Sequence, residues 1–173
     1  NDRQQVRERA ARLLAERDRA RQRPWSRKAF PTVAEWLDGN QTALDQMADA
    51  LRRPRFYLPV VVDGASHIGG GIGLNEIQEY ARWLGARAML RIHQRRADDA
   101  WHDVLAAERL ARLLCHGNNG LRHLVGRDCT TNVSVPAALA LLAECAPSRD
   151  MATRMLRDLG ELPAYGSFVD GID

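Results

Sequence analysis

The sequence predicts an all-α protein: five to six helices arranged as an array of antiparallel hairpins. Three observations carry that expectation. Hydrophobic residues make up 45% of the chain and aromatic ones only 6%. Ala and Leu dominate the apolar set, which suits helices better than sheets built from β-branched and aromatic residues. Between Ile77 and Leu114 two runs, IQEYARWLGARAMLRIHQ and DDAWHDVLAAERLARLL, repeat apolar residues at helical spacing across a four-residue turn. One hairpin cannot bury both of its faces, so neighbours of the same kind are expected around it. At 173 residues the chain is long enough to do this as a single helical domain, 1–173.

The elements follow in order. Residues 1–23 read as a charged N-terminal helix with a thin apolar stripe of Val6, Ala10, Leu13 and Leu14, ended by Pro24. A linker from Trp25 leads to Pro31 and the string Thr32-Val-Ala-Glu35, read as a capping box. The next helix carries Trp36, Leu37, Leu44, Met47, Ala48 and Leu51 on one face. It is expected to run through Gly39 to about Arg53. Residues 54–73 hold two prolines and a glycine cluster and read as a long loop.

The hairpin array occupies 75–162. Its first two helices are expected over Asn75–Gln94 and Asp99–His116, with Asp98 as N-cap. Gly117-Asn-Asn-Gly120 reads as a turn. A third helix begins at Leu121, with Pro136 expected to kink or break it; the alternative is that Thr130–Val135 is extended. Pro147-Ser148 opens a last short helix with Met151, Met155, Leu156 and Leu159, stopped by Gly160 and Pro163. Tyr165 and Phe168 are expected to fold back over that helix's apolar face, or a second copy of the chain to cover it.

Composition excludes several classes. No apolar run approaches the roughly 18 residues that span a bilayer, so this segment is not expected to insert into a membrane. No secretory signal lies within these residues. The chain begins at Asn1 rather than a methionine, which reads as a mature form or a piece of a longer protein. Its net charge is +3, and Lys28 is the lone lysine among 25 basic residues. Residues 1–28 hold ten basic and four acidic side chains, so the positive surplus lies at that end. Cys115, Cys129 and Cys145 fall on apolar faces and read as small buried hydrophobes rather than a disulfide framework.

The hairpin resembles one tetratricopeptide-type unit. Ala88 and Ala100 occupy its two small close-contact positions, and Leu84, Val104 and Ala107 its apolar ones. Arg95 stands where that pattern has a glycine before the turn, no proline follows the second helix, and no second copy appears. More broadly, RRPRFYLPV, AWHDVLAAERLARLL and LRDLGELP resemble an uncharacterised family of helical, repeat-like proteins of planctomycete bacteria, over Leu51 to Pro163. That resemblance implies a fragment of an α-solenoid continuing beyond Asp173, and it carries no activity or site residues.

Candidate chemistry fails its specific tests. Gly69-Gly-Gly-Ile-Gly73 precedes a helix as a phosphate cradle would, but it lacks the Lys and Ser/Thr of a P-loop and the third glycine of a dinucleotide fingerprint. His116, His123, Cys115, Cys129 and Asp128 are close in sequence but project from different helical faces, which suits neither tetrahedral zinc nor a Cys–His pair. No catalytic, cofactor-binding or metal-ligating residue is assigned, and no cofactor is expected.

The expected role is therefore non-enzymatic: a helical scaffold that binds a protein or peptide partner. The alternative is nucleic-acid or polyanion binding through residues 1–28 and the Arg52–Arg55 cluster. The acids at positions 2, 8, 16 and 18 weigh against it. A Cys/His enzyme ranks third.

Overall fold

Helices α4 (Leu74–His93) and α5 (Ala97–Cys115) form the centre of the molecule, and the other helices pack against one or both of them. The computed structural model describes residues 2–53, 73–116 and 120–166, and every regular element among them is helical. In chain order these are α1 (Asp2–Ala20), α2 (Pro31–Gly39), α3 (Gln41–Ala50), α4, α5 (Ala97–Cys115), α6 (Gly120–Cys129), α7 (Val135–Cys145) and α8 (Arg149–Gly160). A π-helical turn, Thr130–Ser134, joins α6 to α7, so the two form one continuous rod. Residues 54–72 of the expected long loop, most of the Gly117–Gly120 turn and Phe168 lie outside the described residues.

The central hairpin is α4–α5, and its turn is set by backbone hydrogen bonds. Arg95 N–H bonds the Ile92 carbonyl and Arg96 N–H the Arg91 carbonyl, both at 2.9 Å. This is the double C-terminal bond that requires a left-handed residue, and Arg95 supplies it with φ 59°. The tetratricopeptide-like pattern has glycine at this position, and the backbone here adopts that conformation with an arginine instead. The following helix starts at Ala97, two residues before the expected Asp99. Asp98 is thus a first-turn residue and not the cap, and it faces the positive end of the helix dipole.

Small residues let the helices approach closely. Ala81, Ala88, Ala107 and Ala111 are buried along the hairpin. A Cβ at Gly126 would stand 2.5 Å from the Ala111 carbonyl and 2.7 Å from Cys115 Sγ, so α6 lies directly against α5. A Cβ at Gly85 would stand 2.8 Å from a Val133 methyl, which brings the π-turn against α4.

The hairpin seam also holds charge. Asp103, fully buried, accepts from Arg87 Nη2 at 2.7 Å and Nε at 3.1 Å, and from Arg91 Nη1 at 2.7 Å. Arg91 also donates to the Asp99 carbonyl at 3.0 Å, and Arg87 pairs with Asp45 of α3 at 2.7 Å. Burial pushes the Asp103 carboxyl above its ordinary range, and the two guanidiniums oppose that push.

Three sequence expectations are corrected. The helix over Thr32–Arg53 breaks at Asn40, whose side-chain amide donates to the Trp36 carbonyl at 2.8 Å and so competes with the helical ladder beside Gly39. The Thr32/Glu35 capping box does not form, because Pro31 already occupies the first helical position and Phe30 is the N-cap. Pro136 neither breaks the rod nor makes Thr130–Val135 extended. The Val135 N–H reaches back to the Thr130 carbonyl in π register. The Asn132 carbonyl, which Pro136 has no N–H to satisfy, accepts from Arg21 Nη1 at 2.6 Å.

Helix α8 starts as expected, with Ser148 Oγ accepting from the Met151 N–H at 3.3 Å. Met151 and Met155 join the core, and Trp101 Nε1 donates to Asp158 at 2.9 Å to hold α8 on α5. Leu156 stays exposed. No helix is long and apolar enough to cross a membrane among the described residues.

Candidate docking groove

The apolar stripe on α1 has a register that continues past Leu13. Val6, Ala10, Leu13, Arg17 and Ala20 recur at three- and four-residue steps, so all five lie on one face. The structure buries only the C-terminal end of that face: Arg17 and Ala20 are shut in, whereas Val6 is 63% exposed. Helix α1 is thus anchored at one end, and its first half stands beside α2 with a channel between them. That channel, about 440 Å³, is lined by Val6, Arg9, Ala10, Leu13, Thr32, Glu35 and Trp36.

Trp36 belongs to two hollows. On its other side a second hollow of about 280 Å³ runs between α3 and α4, past Leu44, Met47, Glu76, Glu79 and Tyr80. Trp36 is positioned by stacking on Trp83 of α4, with ring centroids 3.6 Å apart and planes 15° from parallel. The Arg17 guanidinium lies 5.2 Å from the Trp83 ring, in cation–π range, and is ion-paired to Glu79 and Asp18. Burial acts to raise the Asp18 carboxyl, but hydrogen bonds and charge from Arg17 and Arg21 outweigh it and hold it below its ordinary range. The Tyr80 hydroxyl donates to the Leu44 carbonyl at 2.8 Å, joining α4 to α3, and burial pushes its phenol upward. The Trp25 indole N–H donates to the Ala86 carbonyl at 2.9 Å and closes the α1–α2 linker onto α4. Chemically the groove offers an aromatic and aliphatic floor with arginine and glutamate rims and the Thr32 side chain.

A second polar cluster stands behind the hairpin. Glu108 accepts from Tyr165 Oη at 2.6 Å, Ser134 Oγ at 2.7 Å and Arg112 Nε at 2.8 Å. Arg112 also donates to the Pro163 carbonyl at 3.1 Å, and its guanidinium lies 4.8 Å from the Tyr165 ring. Burial works to raise the Glu108 carboxyl, and these donors together bring it below its ordinary value. The cluster latches the segment after α8 onto α5 and the π-turn. Tyr165 therefore lies on the Leu159 side of the α8 face, Leu156 of that face stays exposed, and Phe168 lies outside the described residues.

The other residues weighed in the sequence are dispersed. Cys115 Sγ is buried and donates to the His123 carbonyl at 3.7 Å. Cys129 is wholly buried, and burial pushes its thiol up to about 12. Asp128 accepts from Gln78 Nε2 and Asn132 Nδ2, both at 2.6 Å, and so ties α4 to the π-turn. No cluster of three metal-ligating side chains occurs among the described residues. Of the glycine cluster only Gly73 is described; it caps α4 in an extended conformation.

Sequence reasoning found the stripe on α1 and both halves of the Trp36 face, but not the groove they make. The signal for it was Arg17, a charged residue in register with an apolar stripe. No family model, curated protein or solved structure matches the chain.

Proposed function

We propose that the chain is a non-enzymatic helical scaffold that docks a segment of a partner protein in the groove centred on Trp36. The carrying observation is that two largely apolar hollows meet at this one partly buried tryptophan. Rigid aromatic anchors in apolar channels are the usual centres of binding energy at interfaces, and Trp36 is held rigid by its stack on Trp83. The same reading takes α4–α5 as one unit of a tetratricopeptide-like hairpin array. Its support is the left-handed turn at Arg95 and the small-residue seam.

A random displayed-peptide library panned against the chain tests this. The enriched peptides should bind the purified protein and lose at least about tenfold in affinity on Trp36→Ala or Ala10→Asp, while Leu156→Ala on the far side changes nothing. Enriched binders indifferent to both groove variants refute the proposal.

A second reading, polyanion binding, has its own observation. Arg3, Arg7, Arg9 and Arg12 are exposed, and none forms an ion pair among the described residues. Of the Arg52–Arg55 cluster, Arg55 lies outside those residues. A salt titration against duplex and single-stranded probes decides it. Submicromolar binding at physiological salt that weakens steeply as salt rises would put this reading first.

A further inference from the structure

We infer that the hollow between α5, the π-turn and α8 binds a small uncharged ring molecule carrying an O–H or N–H donor. This hollow measures about 300 Å³ and shares no lining residue with the two at Trp36, so it stands apart from the groove reading. Its floor is one face of α5. Trp101, Val104, Glu108 and Arg112 follow at i, i+3, i+7 and i+11, which sets an apolar half beside a charged half. Val135, Ala138 and Leu159 complete the apolar half, and Thr130, Ser134 and Tyr165 the polar one. An apolar chamber with a few convergent polar groups is what small-molecule sites have in common. A cavity of about 150 Å³ holds benzene, so this one has room for two fused rings.

Counting hydrogens decides the polar chemistry. The Tyr165 hydroxyl has one hydrogen and gives it to Glu108 Oε1 at 2.6 Å. In its 2.8 Å contact with Thr130 Oγ1 it must therefore accept, which spends the threonine's hydrogen too. Ser134 Oγ gives its own to Glu108 Oε2 at 2.7 Å, a nearer and charged acceptor than the Thr130 carbonyl at 3.2 Å. The Trp101 indole N–H goes to Asp158 at 2.9 Å. These donors are all committed, while Ser134 Oγ, Thr130 Oγ1 and Glu108 Oε2 keep open lone pairs. Glu108 and Ser134 are buried, so a ligand's donor meets them without competition from water. Of the lining side chains only Arg112 keeps spare N–H groups; its Nε is on Glu108 and Nη1 on the Pro163 carbonyl. An anion reaching for Arg112 would meet the Glu108 carboxylate, and a cation reaching for Glu108 would meet Arg112. An uncharged donor meets neither conflict.

Calorimetric titration of the intact chain with β-naphthol and with its methyl ether, the same rings without the donor, tests this. β-Naphthol should bind at submillimolar concentration, and the ether at least about tenfold more weakly. β-Naphthoate and protonated naphthylmethylamine should both bind more weakly than β-naphthol. Ala138→Phe fills the chamber, and Val135→Trp closes its half-exposed rim. Each should abolish binding, with a melting curve to show that the variant folds; Val135→Trp, at the surface, decides alone if Ala138→Phe does not. Trp36→Ala should change nothing. Absence of β-naphthol binding, or equal affinity for its ether, overturns the inference. Tighter binding of either ion does so too, as does binding that survives the blocking variants or is lost with Trp36→Ala.

Discussion

Arg95 shows how a single position can oppose its own backbone. The hairpin turn needs a left-handed residue, and a side chain there costs about 1 kcal/mol relative to glycine. Arg95 adopts φ 59° all the same, and among the described residues its side chain makes a long, exposed ion pair with Glu144, at 3.9 Å. Arg95→Gly should therefore raise stability by about 0.5–1 kcal/mol, read as a higher urea midpoint; a fall would show that the ion pair outweighs the strain. Glu108 gives the opposite kind of residue, one whose hydrogen-bond donors outweigh the burial that opposes its charge. Its carboxyl is held below the ordinary value of 4.5. A depressed folded pKa contributes stability that is fully present above the unfolded value and is lost as pH falls through the folded one. Glu108→Gln should accordingly be less stable at neutral pH but show a flatter acid limb below about pH 4.5 in thermal melts. An unchanged acid limb would mean that other carboxylates carry the acid sensitivity.

At the scale of elements, α4 and α5 decide most of the packing. On α4, residues Ala81, Leu84 and Ala88 are buried in the hairpin, and Gly85 admits the π-turn on another side. Ala88→Trp should overpack this seam and cost at least about 1–3 kcal/mol. An unchanged melting temperature would mean that the seam lies elsewhere. The rod from α6 to α7 shows how a proline is absorbed when the rest of the fold answers it. Val135 steps back one residue further than in an α-helix, and Arg21, 111 residues away in sequence, takes the carbonyl that Pro136 leaves open. Proline at that position reads as a break locally, because no local signal announces a partner from α1.

The whole molecule is built around a charged triad inside a helical hairpin. Removing one partner of a buried ion pair strands the others, at about 3–5 kcal/mol, whereas replacing the set by apolar residues of similar size is often neutral. Asp103→Ala should fall in the first class and lower stability by about that amount in denaturant unfolding. Combined Arg87→Met, Arg91→Met and Asp103→Leu should recover most of the loss. If Asp103→Ala costs under about 1 kcal/mol, the triad is hydrated in solution and does not organise the core.

What the sequence alone determined is what repeats locally. Helical spacing placed the α4–α5 hairpin, Ser148 marked the start of α8, and the alanines of the seam stood at contact positions. The absence of sheet-forming composition matched an all-helical chain. The tertiary structure alone decided which helices are central and where a groove remains. Arg87 and Arg91 make α4 read as one-sided and solvated, and only Asp103, on the next helix, makes their burial tolerable. Trp36 likewise reads as core until Trp83 takes one of its faces and α1, anchored at its Arg17–Ala20 end, leaves the other beside open channels. Periodicity reports which face of a helix is apolar. Whether that face is covered depends on charges and rings brought together from tens of residues apart, and no window of sequence contains them.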